Sequence, residues 1–108
     1  MTSSLVGSEM CIRDRYQADD KKLNETYQEA LKRASEKQQE LLKKAQLTWI
    51  ALRDADCQFL ASGAEGGSVQ PMLINQCMSD KTVERESYLA SLLQCEDGDQ
   101  SCPLPPAN

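Results

Sequence analysis

The stretch Ala45–Cys57, AQLTWIALRDADC, holds the only tryptophan of the chain, an Arg-Asp pair and a cysteine. Ala45, Trp49, Leu52 and Ala55 or Asp56 recur at helical spacing, and side chains at i, i+3, i+4 and i+7 share one helix face. The pattern predicts an amphipathic helix with Trp49 at the centre of the core and Cys57 placed to staple it. Arg53 and Asp54 follow the aromatic residue with no nucleophile or metal partner near them in sequence. They read as scaffold, because a guanidinium fork can hold a carboxylate or helix-end carbonyls through two bonds.

Working outward, the same apolar phase runs back to Leu41 and Leu42 and forward to Phe59. Ser35 followed by Gln38 is a capping-box pattern and predicts a helix start at Glu36. Upstream, Leu23, Tyr27, Ala30, Leu31 and Ala34 form a stripe that predicts a first helix from Tyr16 or Asp19 to Ala34. Asp19 and Asp20 would sit at its positive end. Neither proline nor glycine stands at Ser35, so a single helix of roughly 45 residues is the alternative that the composition permits. Downstream, SGAEGG at Ser62–Gly67 is a breaker. Ser68 then reads as an N-cap, with Pro71 in the first turn. A third helix is expected over about Val69 to Gln94, with the stripe Val69, Met72, Leu73, Cys77, Val83, Leu89, Leu92 and Leu93. Asp80 and Lys81 interrupt that stripe and admit a kink. The expected fold class is therefore all-α: a small disulfide-stapled bundle of about three helices, with helices one and two as a hairpin and a long third helix.

At 108 residues the chain is one domain with a modest core. Residues 1–15, MTSSLVGSEMCIRDR, carry no helical stripe and no signal-peptide pattern. They resemble a translated adapter sequence, or else form a natural tail. The helical domain is expected over residues 16–95. Residues 96–108 make a proline-rich tail in which Asp97-Gly98 signals a turn. No apolar run is long enough to cross a membrane.

Net charge is -5, which disfavours nucleic acid and anionic membranes and favours a basic protein partner. Histidine is absent, which excludes a Ser-His-Asp or Cys-His mechanism within this chain and removes the commonest metal ligand. No catalytic residue, cofactor or metal site is expected. Five cysteines stand at Cys11, Cys57, Cys77, Cys95 and Cys102. Zinc sites use close Cys pairs, commonly with histidine, and no such pair exists here, so disulfides fit better. A Cys57–Cys77 bridge would close the glycine-rich connection, worth on the order of 3 kcal/mol in the chain-entropy account. Cys95–Cys102 would tie the tail, and Cys11 would be left free. Such bridges need an oxidising compartment.

LNETY at Leu23–Tyr27, AQLTWIALRDADC, GGS at Gly66–Ser68, and C-x4-T-x2-R at Cys77, Thr82 and Arg85 occur in this order. Together they resemble the lysozyme inhibitor LprI-like family over about residues 18–93. The resemblance implies an all-helical exported domain, periplasmic, secreted or carried on a lipoprotein, with Cys57 and Cys77 paired. It also implies that Trp49, Arg53, Asp54, Thr82 and Arg85 are core and motif positions, and that the activity is inhibition of lysozyme. Two departures stand out. The upstream segment with a Cys pair and T-Q-x2-M-N, usual in the family, is replaced by MTSSLVGSEMCIRDR. Asp80 occupies a position that is often apolar. Lysozymes are commonly basic, so an acidic inhibitor would be steered to them by charge. The polar segment around Ser62, Glu65 and Ser68 is the candidate partner-binding loop. The alternative is a non-enzymatic structural or protein-interaction module of the bacterial envelope.

Overall fold

The computed structural model describes residues 12–95 and 101–104. The expectations for Cys11, for the first part of the N-terminal segment and for the Asp97-Gly98 turn lie outside the described residues. Three helices follow one another: α1 over Ile12–Arg33, α2 over Glu36–Leu60 and α3 over Gln70–Leu92. A short 3-10 turn, Ala61–Ala64, joins the last two. The fold is a disulfide-stapled helical bundle, and no strand occurs among the described residues.

The break at Ser35 is made by the capping box. Ser35 lies in extended backbone and accepts from the Gln38 amide, while the Gln38 side chain accepts from the Ser35 amide. Gln39 completes the turn from the other side. Its side-chain amide donates to the carbonyls of Leu31 and Ala34, satisfying helix-end acceptors that α1 cannot pair itself. α1 starts at Ile12, earlier than the stripe predicts, with Asp14 in the first turn where it complements the helix dipole. α3 runs through Asp80 as one helix. The proposed N-cap, Ser68, is corrected. The cap position is Val69, in helical backbone and without a side-chain cap. Successive turns carry the chain into α3, with the Gln70 amide bonded to the Gly67 carbonyl and the Leu73 amide to the Val69 carbonyl. This leaves Ser68 outside the helix in a turn. Within that turn Gly66 has φ 81°, the one positive-φ glycine among the described residues.

The packing is organised along α1 and α3, which meet far more extensively than either meets α2. Three polar pairs fix their register. Ser79 donates to Asp19, the Thr26 hydroxyl donates to Glu86 at 2.8 Å, and Arg33 donates to the Leu93 carbonyl at 2.8 Å. Each pair is separated by 60 residues, so α1 and α3 run parallel. Within each helix the pinning positions recur every seven residues (19, 26, 33 and 79, 86, 93), the spacing of a coiled-coil seam. Leu23 and Ala30 on α1 and Thr82 and Leu89 on α3 keep that spacing and are fully buried. α2 is antiparallel to α3, since its contacts Gln46–Arg85, Arg53–Thr82 and Cys57–Cys77 descend α3 as they ascend α2.

The orientation of α2 departs from its apolar pattern. Its buried residues are Gln46, Arg53 and Cys57. Trp49 is half-buried on the same side, so it is not the centre of the core. That centre lies between α1 and α3. The expected stripe faces outward: Leu41 is 59% exposed, Leu52 58% and Phe59 81%. The physical reason is that Cys57 is bridged to Cys77 and Arg53 is bonded to Thr82. Both partners lie on α3, and they turn the polar stripe of α2 inward.

Candidate functional site: an arginine–aromatic ladder and an acidic end

The inward face of α2 builds a stack of alternating aromatic and cationic side chains. The Arg53 guanidinium lies 5.6 Å from the centre of the Tyr16 ring and 5.0 Å from that of Trp49. Arg85 lies 5.8 Å from the centre of the Trp49 ring and 5.3 Å from that of Tyr88. Helical spacing produces this order. Gln46, Trp49 and Arg53 lie along one line of α2, and Arg85 and Tyr88 are neighbours on α3. Cations over aromatic faces within about 6 Å are attracted by the ring quadrupole, by roughly 0.5–1 kcal/mol when exposed and about 2 when desolvated.

Hydrogen bonds fix the two guanidinium planes. Arg53 Nε donates to Asp54 at 3.0 Å, and its terminal nitrogen faces the buried Thr82 hydroxyl at 3.4 Å and Asp20 at 3.8 Å. Arg85 Nε donates to the Gln46 side-chain oxygen at 3.0 Å. Arg53 thereby touches all three helices. Burial pushes the pKa of Arg85 down, with Tyr88 opposing. Burial raises the pKa of Tyr16, against the lowering influence of Arg53. The structure thus brings Trp49, Arg53, Asp54, Thr82 and Arg85 into one cluster. It adds Tyr16, Asp20, Gln46 and Tyr88, which the sequence reading did not single out. The available signal was positional: Tyr16 precedes Leu23 by seven residues, and Tyr88 follows Arg85 by three.

The opposite end of α2 has different chemistry. Ser62, Glu65 and Ser68 are all exposed. The Ser62 hydroxyl donates back to the Phe59 carbonyl at 2.7 Å, and the Glu65 amide to the Ser62 carbonyl at 3.2 Å. This segment is a hydrogen-bonded turn that caps the end of α2. Before this turn, a shallow cleft of about 370 Å³ between α2 and α3 is lined by Asp56, Phe59, Leu60, Asp80, Lys81 and Glu84, with Cys77 of the Cys57–Cys77 bridge. The cleft presents three carboxylates and one ammonium around an exposed aromatic ring. At the other end of the bundle, Cys95 is bridged to Cys102. Among the described residues no helix is long and apolar enough to cross a membrane, and no group of three or more carboxylate or thiol side chains is placed to hold a metal ion.

Comparison with known proteins bears on this arrangement in two ways. An uncharacterised protein of Rhizobium meliloti (strain 1021), R02472, is 38% identical over 50 residues, covering 46% of this chain and 36% of that protein. The chain therefore matches only about a third of that relative's length. No solved structure matches. The family model described as "Lysozyme inhibitor LprI" matches residues 1–89, from the N-terminus through both cysteines of the buried bridge and both arginines of the ladder. The chain belongs to the lysozyme inhibitor LprI family.

Proposed function

We propose that this domain acts outside the cytoplasm, in the periplasm or secreted, as a protein that binds lysozyme and inhibits it. Membership of the family carries this reading. The charge of the molecule supports it: the net charge of -5 complements a basic enzyme. The contact face is the acidic end, with Phe59 as an apolar anchor, Asp56, Asp80 and Glu84 lining the same cleft, and Glu65 exposed in the turn that follows α2. Anchors of this kind, an aromatic ring rimmed by polar groups, dominate binding energy at protein interfaces. Ser62 and Ser68 flank that face, and the arginine–aromatic ladder is scaffold that holds it in place. Glycoside hydrolysis by lysozyme uses two carboxylates in a cleft, and covering that cleft stops turnover without any chemistry by the inhibitor. Two disulfides accord with an oxidising compartment.

The test is clearance of a bacterial cell-wall suspension by a basic lysozyme in the presence of the oxidised domain. A slower rate that recovers with added salt supports the reading, because rim charges act on association and are screened within about 8 Å at 0.15 M. An unchanged rate at micromolar domain, with no binding by surface kinetics, rejects it. The outward stripe of α2, with Leu41 and Leu52 exposed, favours a second reading: a structural or interaction module of the cell envelope that binds another protein.

A further inference from the structure

The chain's last described residues form one wall of a cleft. Between the C-terminal half of α1, the first turns of α2 and the second half of α3 lies an apolar depression of about 270 Å³. Its walls include Ala30, Ala34, Leu41, Leu42, Leu89 and Leu92. Leu104 is only 8% exposed and, with Pro103, closes one side of this depression. The Gln38 side chain donates to the Pro103 carbonyl at 2.7 Å, so the segment is held by its backbone as well as by its side chain. Gln38 is the capping-box residue of α2, which places the recognising amide on a fixed element.

Two residues before Leu104, Cys102 is bridged to Cys95 at the end of α3. One bridged cysteine therefore anchors the docking segment beside the cleft it lines. The two bridges differ in access. Cys57 is fully buried and Cys77 nearly so, whereas Cys95 and Cys102 are both partly exposed. Thiol–disulfide exchange needs a thiolate to reach a sulfur atom, so the outer bridge opens first.

We propose that the Cys95–Cys102 bridge is a redox latch on this cleft. Oxidised, it holds Pro103–Leu104 against the bundle as one wall of the cleft and keeps the cleft narrow. When a dithiol reductant transfers two electrons and two protons, the S–S bond breaks, Cys95 and Cys102 become thiols and the reductant leaves as its own disulfide. The docking segment then keeps only its backbone link to α3, and the entropy of the freed loop favours its departure. The widened cleft accepts an extended segment with a branched aliphatic side chain, the chemistry that Leu104 supplies in cis.

The experiment uses the whole chain and Nile red, an uncharged dye that emits in apolar surroundings. Three samples are compared: the oxidised protein, the protein after brief treatment with dithiothreitol, and the oxidised Leu104→Asp variant. Alkylation and mass spectrometry identify which bridge has opened, and far-ultraviolet circular dichroism reports the helices. Opening of the outer bridge alone and the Leu104→Asp change are each expected to raise dye emission several-fold with helicity unchanged. Equal emission from the oxidised protein and the protein with the outer bridge open overturns the latch. Should dithiothreitol open both bridges, or Leu104→Asp lose helicity, the Cys95→Ser/Cys102→Ser double variant and Leu104→Ala give the same comparison with the inner bridge intact. Unchanged emission in both of those overturns the proposal as well.

Discussion

The seam between α1 and α3 and the inward face of α2 hold the same small protein together by different means. Along the seam, Leu23, Ala30 and Leu89 are buried at seven-residue spacing, with one polar pair per heptad setting the register. Along α2 the buried residues are a glutamine, an arginine and a cysteine, while Leu41, Leu47, Leu52 and Leu60 are exposed. The seam is held by non-directional burial that any well-fitting apolar residue could supply. α2 is held by directed contacts to Thr82, Arg85 and Cys77, each specific to one residue type. A helix attached in this way keeps an apolar face free, which the seam helices cannot do.

The contrast ranks the expected mutational effects. Leu89→Ala empties a fully buried position in the seam and should cost about 3 to 5 kcal/mol, read from chemical denaturation. A loss below about 1 kcal/mol would mean that the seam is loosely packed. The Cys57→Ser/Cys77→Ser double variant reopens a 20-residue separation and should cost about 3 kcal/mol by the chain-entropy relation. Because α2 has little burial to replace the bridge, amide exchange should accelerate in α2 while α1 and α3 stay protected. Uniform acceleration would show that α2 is integral to the core.

Arg53→Lys keeps the charge but removes the planar fork over two rings, and is expected to cost about 1 to 2 kcal/mol. A silent Arg53→Lys would reduce the ladder to a point charge. Asp54 is half exposed, so its ion pair with Arg53 adds less to stability than a buried pair would. The smallest effect belongs to the outer stripe. Leu52→Ser and Phe59→Ser should each leave thermal unfolding within about 0.5 kcal/mol of the parent, as surface changes usually do. A large loss at Leu52 would put that face inside a contact.

The sequence conveyed the seam better than the α2 face. Leu23 and Ala30 were legible because apolar residues at helical spacing have one plausible destination. The capping box was legible because Ser35 and Gln38 satisfy each other locally. The orientation of α2 was not, because its apolar stripe and its buried stripe are different stripes. Burial of Gln46 and Arg53 makes sense only once Arg85 and Thr82 are brought to them from a helix some 30 to 40 residues away. Local periodicity assigns such residues to water. Ser68 failed as an N-cap for a related reason: the turns that precede α3 already place Val69 in helical backbone. The motif residues Trp49, Arg53, Asp54, Thr82 and Arg85 were recognisable as a set, but the two tyrosines that bracket them were not.

The parallel pairing of α1 with α3 also bears on how fast the protein reaches its native state. Every polar pin of that seam joins residues 60 apart, so its contacts are non-local although the elements are helices. Helical bundles fold quickly when their contacts are local, and rates fall as contact order rises. Here the strongest interface is also the one whose ends must travel furthest along the chain to meet. Forming the Cys57–Cys77 link first would bring the start of α3 back beside α2 and remove part of that search. Refolding with the inner bridge preformed should therefore outpace refolding of the reduced chain, by an acceleration seen in the folding limb of the chevron. The timing of oxidation relative to collapse would then govern how long the α1 face stays exposed in the freshly unfolded chain.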